Sequence, residues 1–160
     1  MAEKKQFVIL MVDSDENDWM LVKQALAEEQ DRQDFDIDLR HLEDGVELLE
    51  YLDHCKSGED PKGPMPNFIL LDLNIPATGG RETLKKVISH RICRRIPIIV
   101  FATSADQADI IECYQCGGSS FGQYPNDYEN VSRKVRAVVN HWLCAGQLPG
   151  TAPFECMGYG

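Results

Sequence analysis

Four consecutive apolar residues, Phe68-Ile69-Leu70-Leu71, run directly into Asp72 and are closed in by Pro66 and Pro76. The run is too short for a buried helix and does not alternate apolar with polar, so it reads as a strand covered on both faces. Such a strand belongs in a parallel sheet with helices packed on each side. Its last residue is then the informative one. In an open parallel sheet, ligands gather outside the carboxyl ends of the strands, which puts Asp72 where chemistry is done. An Asp after a strand also serves simply to cap a turn, and Gly79-Gly80 follow close behind. The two readings separate on whether other strands bring polar groups to the same edge.

They do. Phe7 to Val12 is a second wholly apolar run, ending in Asp13-Ser14-Asp15. Ile96 to Phe101 is a third buried strand, leading into Ala102-Thr103-Ser104; Pro97 is tolerable near its start, where ladder bonding is barely established. Phe35 to Leu39 alternates as an edge strand does, and Ser119 to Gly122 reads as a short last strand. Helical spacing fills the gaps. Trp19, Val22 and Leu26 share a face, with Asp18 in the N-cap region. Leu48, Leu49 and Leu52 follow the capping-box pattern Asp44-Gly45-Val46-Glu47, and Leu84, Val87 and Ile88 form the next stripe. Asp106 to Cys116 closes on Gly117-Gly118, and Val131, Val135, Val138, Val139 and Trp142 line a final helix. Five strands alternating with five helices make an α/β, doubly wound parallel sheet. The domain is expected over residues 6–145, with Lys56 to Pro66 as a loop and a Pro/Gly-rich tail over 146–160.

Composition narrows the partners. A chain of 160 residues is one domain by length, and a formal charge of −10 repels phosphate backbones and anionic lipid. Neither nucleic acid nor membrane is expected as a partner, and no apolar run approaches the roughly 20 residues of a membrane span. The N-terminus leads straight into a strand and leaves no room for a signal peptide. Cys113-x-x-Cys116 is the one cysteine pair with metal spacing, and no second pair or nearby His completes a zinc site. Reduced thiols in a cytoplasmic protein are the expectation. The histidines read as solvated, and Arg91, Arg94 and Arg95 as a solvated helix end.

Several stretches together resemble a response-regulator receiver domain. They are Ile9-Leu10-Met11-Val12-Asp13, Asp44 to Glu47, Leu70 to Pro76 with Gly80-Arg81-Glu82, Arg95 to Ile98, and Trp142 to Pro149. In detail the pattern is similar to the single-domain regulators that partner bacterial phytochrome-type histidine kinases. The resemblance implies a flavodoxin-like sheet of order 2-1-3-4-5, with Asp72 accepting a phosphoryl group from a sensor histidine kinase in a two-component phosphorelay. It implies Mg2+ held by Asp13, Asp72 and the backbone carbonyl of Asn74, and a chain that is not an enzyme in its own right. It also implies a switch in which a hydroxyl at the end of strand four and Phe121 on strand five reshape a face formed by helix four, strand five and helix five, through which the chain homodimerises.

The pattern is broken at three positions. Ser14 falls where the second metal-binding acid belongs, Ala102 at the switch hydroxyl, and Tyr124 at the lysine that pairs with phosphoryl oxygens. Asp15 and Thr103 stand one residue away as substitutes, and Gln123 flanks the gap without charge. The expectation is a degenerate cup with no ammonium neighbour. The alternative function is a phosphorylation-independent pseudo-receiver acting as a protein-binding module. Asp13-Ser14-Asp15 also has the Asp-x-Asp form of aspartyl-phosphate phosphatases, but the chain offers neither their cap nor a further acidic pair. A flavodoxin-type carrier is disfavoured because the first strand-to-helix turn lacks a Ser/Thr/Gly-rich phosphate loop.

Overall fold

The apolar runs form strands, as their lack of alternation implies. A computed structural model describes residues 5–32, 35–57, 64–75, 79–90, 93–102, 106–123 and 128–145. Strands β1 (Lys5–Val12), β2 (Phe35–Leu42), β3 (Phe68–Asp72), β4 (Ile98–Ala102) and β5 (Ser120–Gln123) pair in parallel in the order β2-β1-β3-β4-β5. Helices α1 (Glu16–Arg32), α2 (Gly45–Ser57), α3 (Gly80–Ser89), α4 (Gln107–Gln115) and α5 (Tyr128–Val139) alternate with them.

Because strand side chains alternate, consecutive residues of one apolar run serve two different cores. Leu10, Val12, Ile69, Leu71, Ile98 and Val100 pack against Leu48 and Leu52 of α2 and Leu84 and Val87 of α3. Ile9, Met11, Phe68, Leu70 and Ile99 pack against Val22 and Leu26 of α1 and the Val131, Val135, Val139 stripe of α5. Beyond Val139 the helix widens into a π-helical turn, Asn140–Ala145, which lays the half-buried Trp142 on the same core.

Several boundaries differ from the sequence expectation for local reasons. β2 runs on to Leu42, because β1 keeps pairing beside it from Lys5↔Phe35 to Val12↔Leu42. β4 begins only at Ile98: Cys93–Arg95 form a 3-10 turn, and Pro97, lacking an N–H, contributes just its carbonyl, which accepts from Ile69 N–H at 3.0 Å. The cap of α1 is Asp15 rather than Asp18, its Oδ1 accepting the N–H of Asn17 at 2.8 Å. Asp44 caps α2 by accepting from Glu47 N–H at 2.8 Å, but the Glu47 carboxylate reaches Glu43 N–H instead of closing the box. The complete capping box is at α4, between Asp106 and Asp109.

One glycine ties helix to site. A Cβ on Gly80, the first residue of α3, would lie 2.5 Å from Leu73 Cα and 2.8 Å from the Asp72 carbonyl oxygen. The helix therefore starts directly against the backbone leaving β3. Among the described residues, no helix is long and apolar enough to cross a membrane. The expected tail, 146–160, lies outside the described residues, as do 58–63 of the expected loop; α2 takes that loop's first residues, Lys56 and Ser57.

Candidate functional site

Asp13 is held at the sheet edge from both sides. Its N–H continues the β1–β2 ladder to the Leu42 carbonyl (3.0 Å), and its Oδ1 accepts the N–H of Asp15 at 2.7 Å. Only 1% of it is exposed. Its carbonyl oxygen lies 2.7 Å from Nε2 of His41. A carbonyl can only accept, so Nε2 carries the proton. The His41 ring is stacked on Trp19, with centroids 4.6 Å apart and planes 10° from parallel. His41 is thus a wall of the site rather than the solvated residue its sequence context suggests.

Asp72 ends β3 half-buried, and its Oδ1 accepts Asn74 N–H at 3.0 Å, an Asx turn that fixes the carboxylate's orientation. The third carboxylate is Asp18. An acid three residues beyond a helix cap ordinarily reaches back to the cap's own N–H. Here Asp13 has taken that N–H, so Asp18 turns inward and hydrogen-bonds Asp13. Oxygens of Asp13, Asp18 and Asp72 lie within 4.8 Å of one another.

The electrostatics of this triad are those of a site built for a cation. Burial pushes Asp13 up to about 8, against the opposing Asp15 N–H, and the charges of Asp72 and Asp18 push the same way. Burial also raises Asp18 and Asp72, with Asp15 adding to both. Three clustered carboxylates that protonate reluctantly in water but readily here fit a hard divalent cation, which takes oxygen ligands.

The other expected site residues fall out as follows. Ser14 is exposed. Asp15 is exposed and its Oδ1 is engaged in capping α1. Asn74 is exposed beside Asp72. Ala102 is 1% exposed at the end of β4, in register with Gln123. Phe121 pairs with Val100 through its backbone, while its side chain, Thr103 and Tyr124 lie outside the described residues. Lys134 of α5 lines the same small cavity, about 30 Å³, as Asp13 and Asp72. Asp18 was not evident as a site residue from sequence. The signal for it is the Asp13-x-Asp15 spacing, which lets one acid take the other's N–H.

Known proteins are similar to this chain in sequence and fold. The family model described as the response regulator receiver domain matches residues 9–136. The response regulator Rcp1 of Synechocystis sp. is 31% identical over 142 residues, covering 89% of this chain and 92% of Rcp1. The structure of the phosphorylated cyanobacterial phytochrome response regulator RcpA is similar at TM-score 0.81 and 28% identity, over 91% of this chain and 99% of that one. The Mn2+-bound form of Rcp1 is similar at TM-score 0.79 and 30% identity, over 90% and 99%. The parallel sheet of order 2-1-3-4-5, the acid at the end of β3 and the match over most of the chain lead to one conclusion: the chain belongs to the response regulator receiver domain family.

Proposed function

We propose that the chain is a single-domain response regulator in which Asp72 accepts a phosphoryl group from a sensor histidine kinase of the phytochrome type. The observation that carries this reading is the convergence of Asp13, Asp18 and Asp72 within 4.8 Å at one sheet edge. Asp13, Asp18, Asp72 and the carbonyl of Asn74 would hold Mg2+, with Asp18 making good the acid absent at Ser14. When bound, the cation neutralises the attacking carboxylate and the phosphoryl oxygens together, which an anion attacking an anion requires. Asn74 N–H holds Asp72 Oδ1, leaving the other oxygen to form the bond to phosphorus. As that bond forms, the phosphorus–nitrogen bond to the donor histidine breaks and the imidazole leaves with the electron pair. The relatives support the partner and the metal: RcpA is a phytochrome response regulator in a phosphorylated state, and Rcp1 has been seen with Mn2+. Free Cys55, Cys93, Cys113 and Cys116 accord with a cytoplasmic setting. The test is phosphorylation with acetyl phosphate and Mg2+: wild type gains one phosphoryl group by mass, and Asp72→Asn does not.

A second reading draws on Ala102. A buried methyl group stands where the family's switch hydroxyl belongs, so the chain would dock its partners without a phosphate-driven change. Exposed Ile111 and Tyr114 on α4 (48% and 52%) suit such docking, including a homodimer through α4, β5 and α5. Equal dimerisation and kinase binding by wild type and Asp72→Asn would favour this reading.

A further inference from the structure

The Cys113-x-x-Cys116 pair takes no part in the carboxylate site, and among the described residues no His or acid joins it as a metal-ligand group. It lies across the closing turn of α4. Cys116 is the C-cap of that helix, and the chain leaves it through a Schellman turn. Gly118 N–H donates to the Cys113 carbonyl at 2.9 Å, and Gly117 N–H to the Tyr114 carbonyl at 3.1 Å. Gly117 sits at φ 105°, a left-handed backbone that glycine adopts without strain. The two cysteines therefore bracket one hydrogen-bonded turn.

Residues three apart on a helix share a face, so both thiols lie on the side of α4 that meets the sheet and α3. Cys113 is buried there in one cluster with Leu84, Cys93 and Val100, and the half-buried Cys116 packs against the same cluster. Burial raises the Cys113 thiol, the Arg81 guanidinium opposes that, and Cys116 lies near enough for its charge to raise it further. Cβ atoms three residues apart on a helix are about 5–6 Å from one another, and a disulfide needs about 3.5–4.5 Å. The turn has to tighten by about 1–2 Å, and the two glycines behind Cys116 leave it free to do so.

We propose that Cys113 and Cys116 form a reversible redox-modification site, closing a disulfide across the end of α4 when the chain meets a peroxide. Cys116, the more accessible thiol, reacts first. Its thiolate sulfur attacks one peroxide oxygen, the O–O bond breaks, and the departing hydroxide takes up the thiol's proton as water. The sulfenic acid left on Cys116 is then attacked by the Cys113 sulfur. The S–O bond breaks, and hydroxide leaves with the Cys113 proton as a second water. The dithiol has lost two electrons and the peroxide has gained them. On the cytoplasmic setting proposed above, cellular thiols reverse the bond. Cys113 is the one fully buried residue of α4, so the bond acts on the anchor of that helix. Exposed Tyr114 lies between the two cysteines and moves with the turn. None of this passes through Asp72.

The test treats the full chain, first reduced with a phosphine, with hydrogen peroxide, quenches it in acid and alkylates the remaining thiols with a maleimide in urea. Wild type is expected to lose two alkylatable thiols, both in the peptide holding residues 113 and 116, and to regain them on treatment with dithiothreitol. Cys113→Ser is expected to stop at a sulfenic acid on Cys116, which dimedone traps. Cys116→Ser is expected to keep Cys113 reduced, because a buried thiol reacts slowly without an accessible partner to relay the oxidant. Wild type that keeps both thiols, or that pairs either of them with another cysteine, overturns the proposal. Dimedone capture on Cys113 in Cys116→Ser overturns the order of attack. The wild-type peptide map decides the matter even where a serine variant fails to fold.

Discussion

The two helical layers draw on alternate residues of the same strands, yet they tolerate very different contents. Toward α2 and α3 the sheet meets a closed apolar layer, with Leu10, Leu48, Ile69, Leu71, Leu84 and Ile98 all at 0% exposure. The buried polar group there is Thr83, whose hydroxyl donates to the Gly79 carbonyl at 2.7 Å. Toward α1 and α5 the packing is interrupted. A cavity of about 30 Å³ lies beneath the carboxylates, and Glu29 of α1 is 2% exposed with the Arg136 guanidinium 3.0 Å away. Among the described residues the buried charged groups lie on this one side of the sheet, so the parity of a strand residue decides whether changing it meets a purely apolar layer or the charged one.

The sharpest test of that contrast is a matched pair. Leu84→Ala, in the closed layer, is expected to cost about 2–5 kcal/mol by urea unfolding, while Leu26→Ala, beside the existing cavity and free to relax into it, costs less. A larger loss at Leu26 would break the comparison. Next comes the buried charge. Arg136→Met leaves Glu29 with Arg32 alone, 3.4 Å away, and is expected to cost about 2–3 kcal/mol. The double variant Glu29→Met, Arg136→Met should recover most of that loss in a double-mutant cycle, because no uncompensated buried charge remains.

The third test is of pH. Burial lifts Asp13 from its ordinary 3.8 to about 8 in the fold. A raised carboxyl favours the folded state while protonated, so its contribution is fully present below about pH 4 and is lost as pH climbs toward 8. Metal-free protein should therefore melt lower at pH 8 than at pH 5, by on the order of 5 °C, with millimolar Mg2+ shrinking the gap. A melting point that rises over that interval would refute the buried acid. The smallest effect belongs to the cap. Asp15→Ala is expected to cost about 1 kcal/mol in stability with Mg2+ affinity nearly intact, whereas Asp18→Ala should weaken Mg2+ binding more than stability. The reverse pattern would return Asp15 to the metal site.

The fold was largely legible because its strands are unbroken apolar runs, and such runs have few alternatives. Asp72 was legible for the same reason, as the carboxylate on which the clearest run ends. Asp18 was not, because position in the first turn suggests a cap, and what redirects it is a hydrogen bond from Asp15 to Asp13. His41 sits in an alternating edge strand, where a polar residue normally faces water; stacking on Trp19 overrides that preference. For Asp18 a local hydrogen bond decided the outcome, and for His41 a contact between distant segments did.

The close approach of Gly80 to the chain leaving β3 has an engineering consequence. With 2.5 Å between a notional methyl carbon and Leu73 Cα, any residue but glycine would lever the loop after Asp72 away from its helix. Anyone building hybrids of this chain must therefore transplant residues 68 to 89 as one cassette. On the phosphoacceptor reading proposed above, a seam placed at position 80 would show itself as altered phosphate retention.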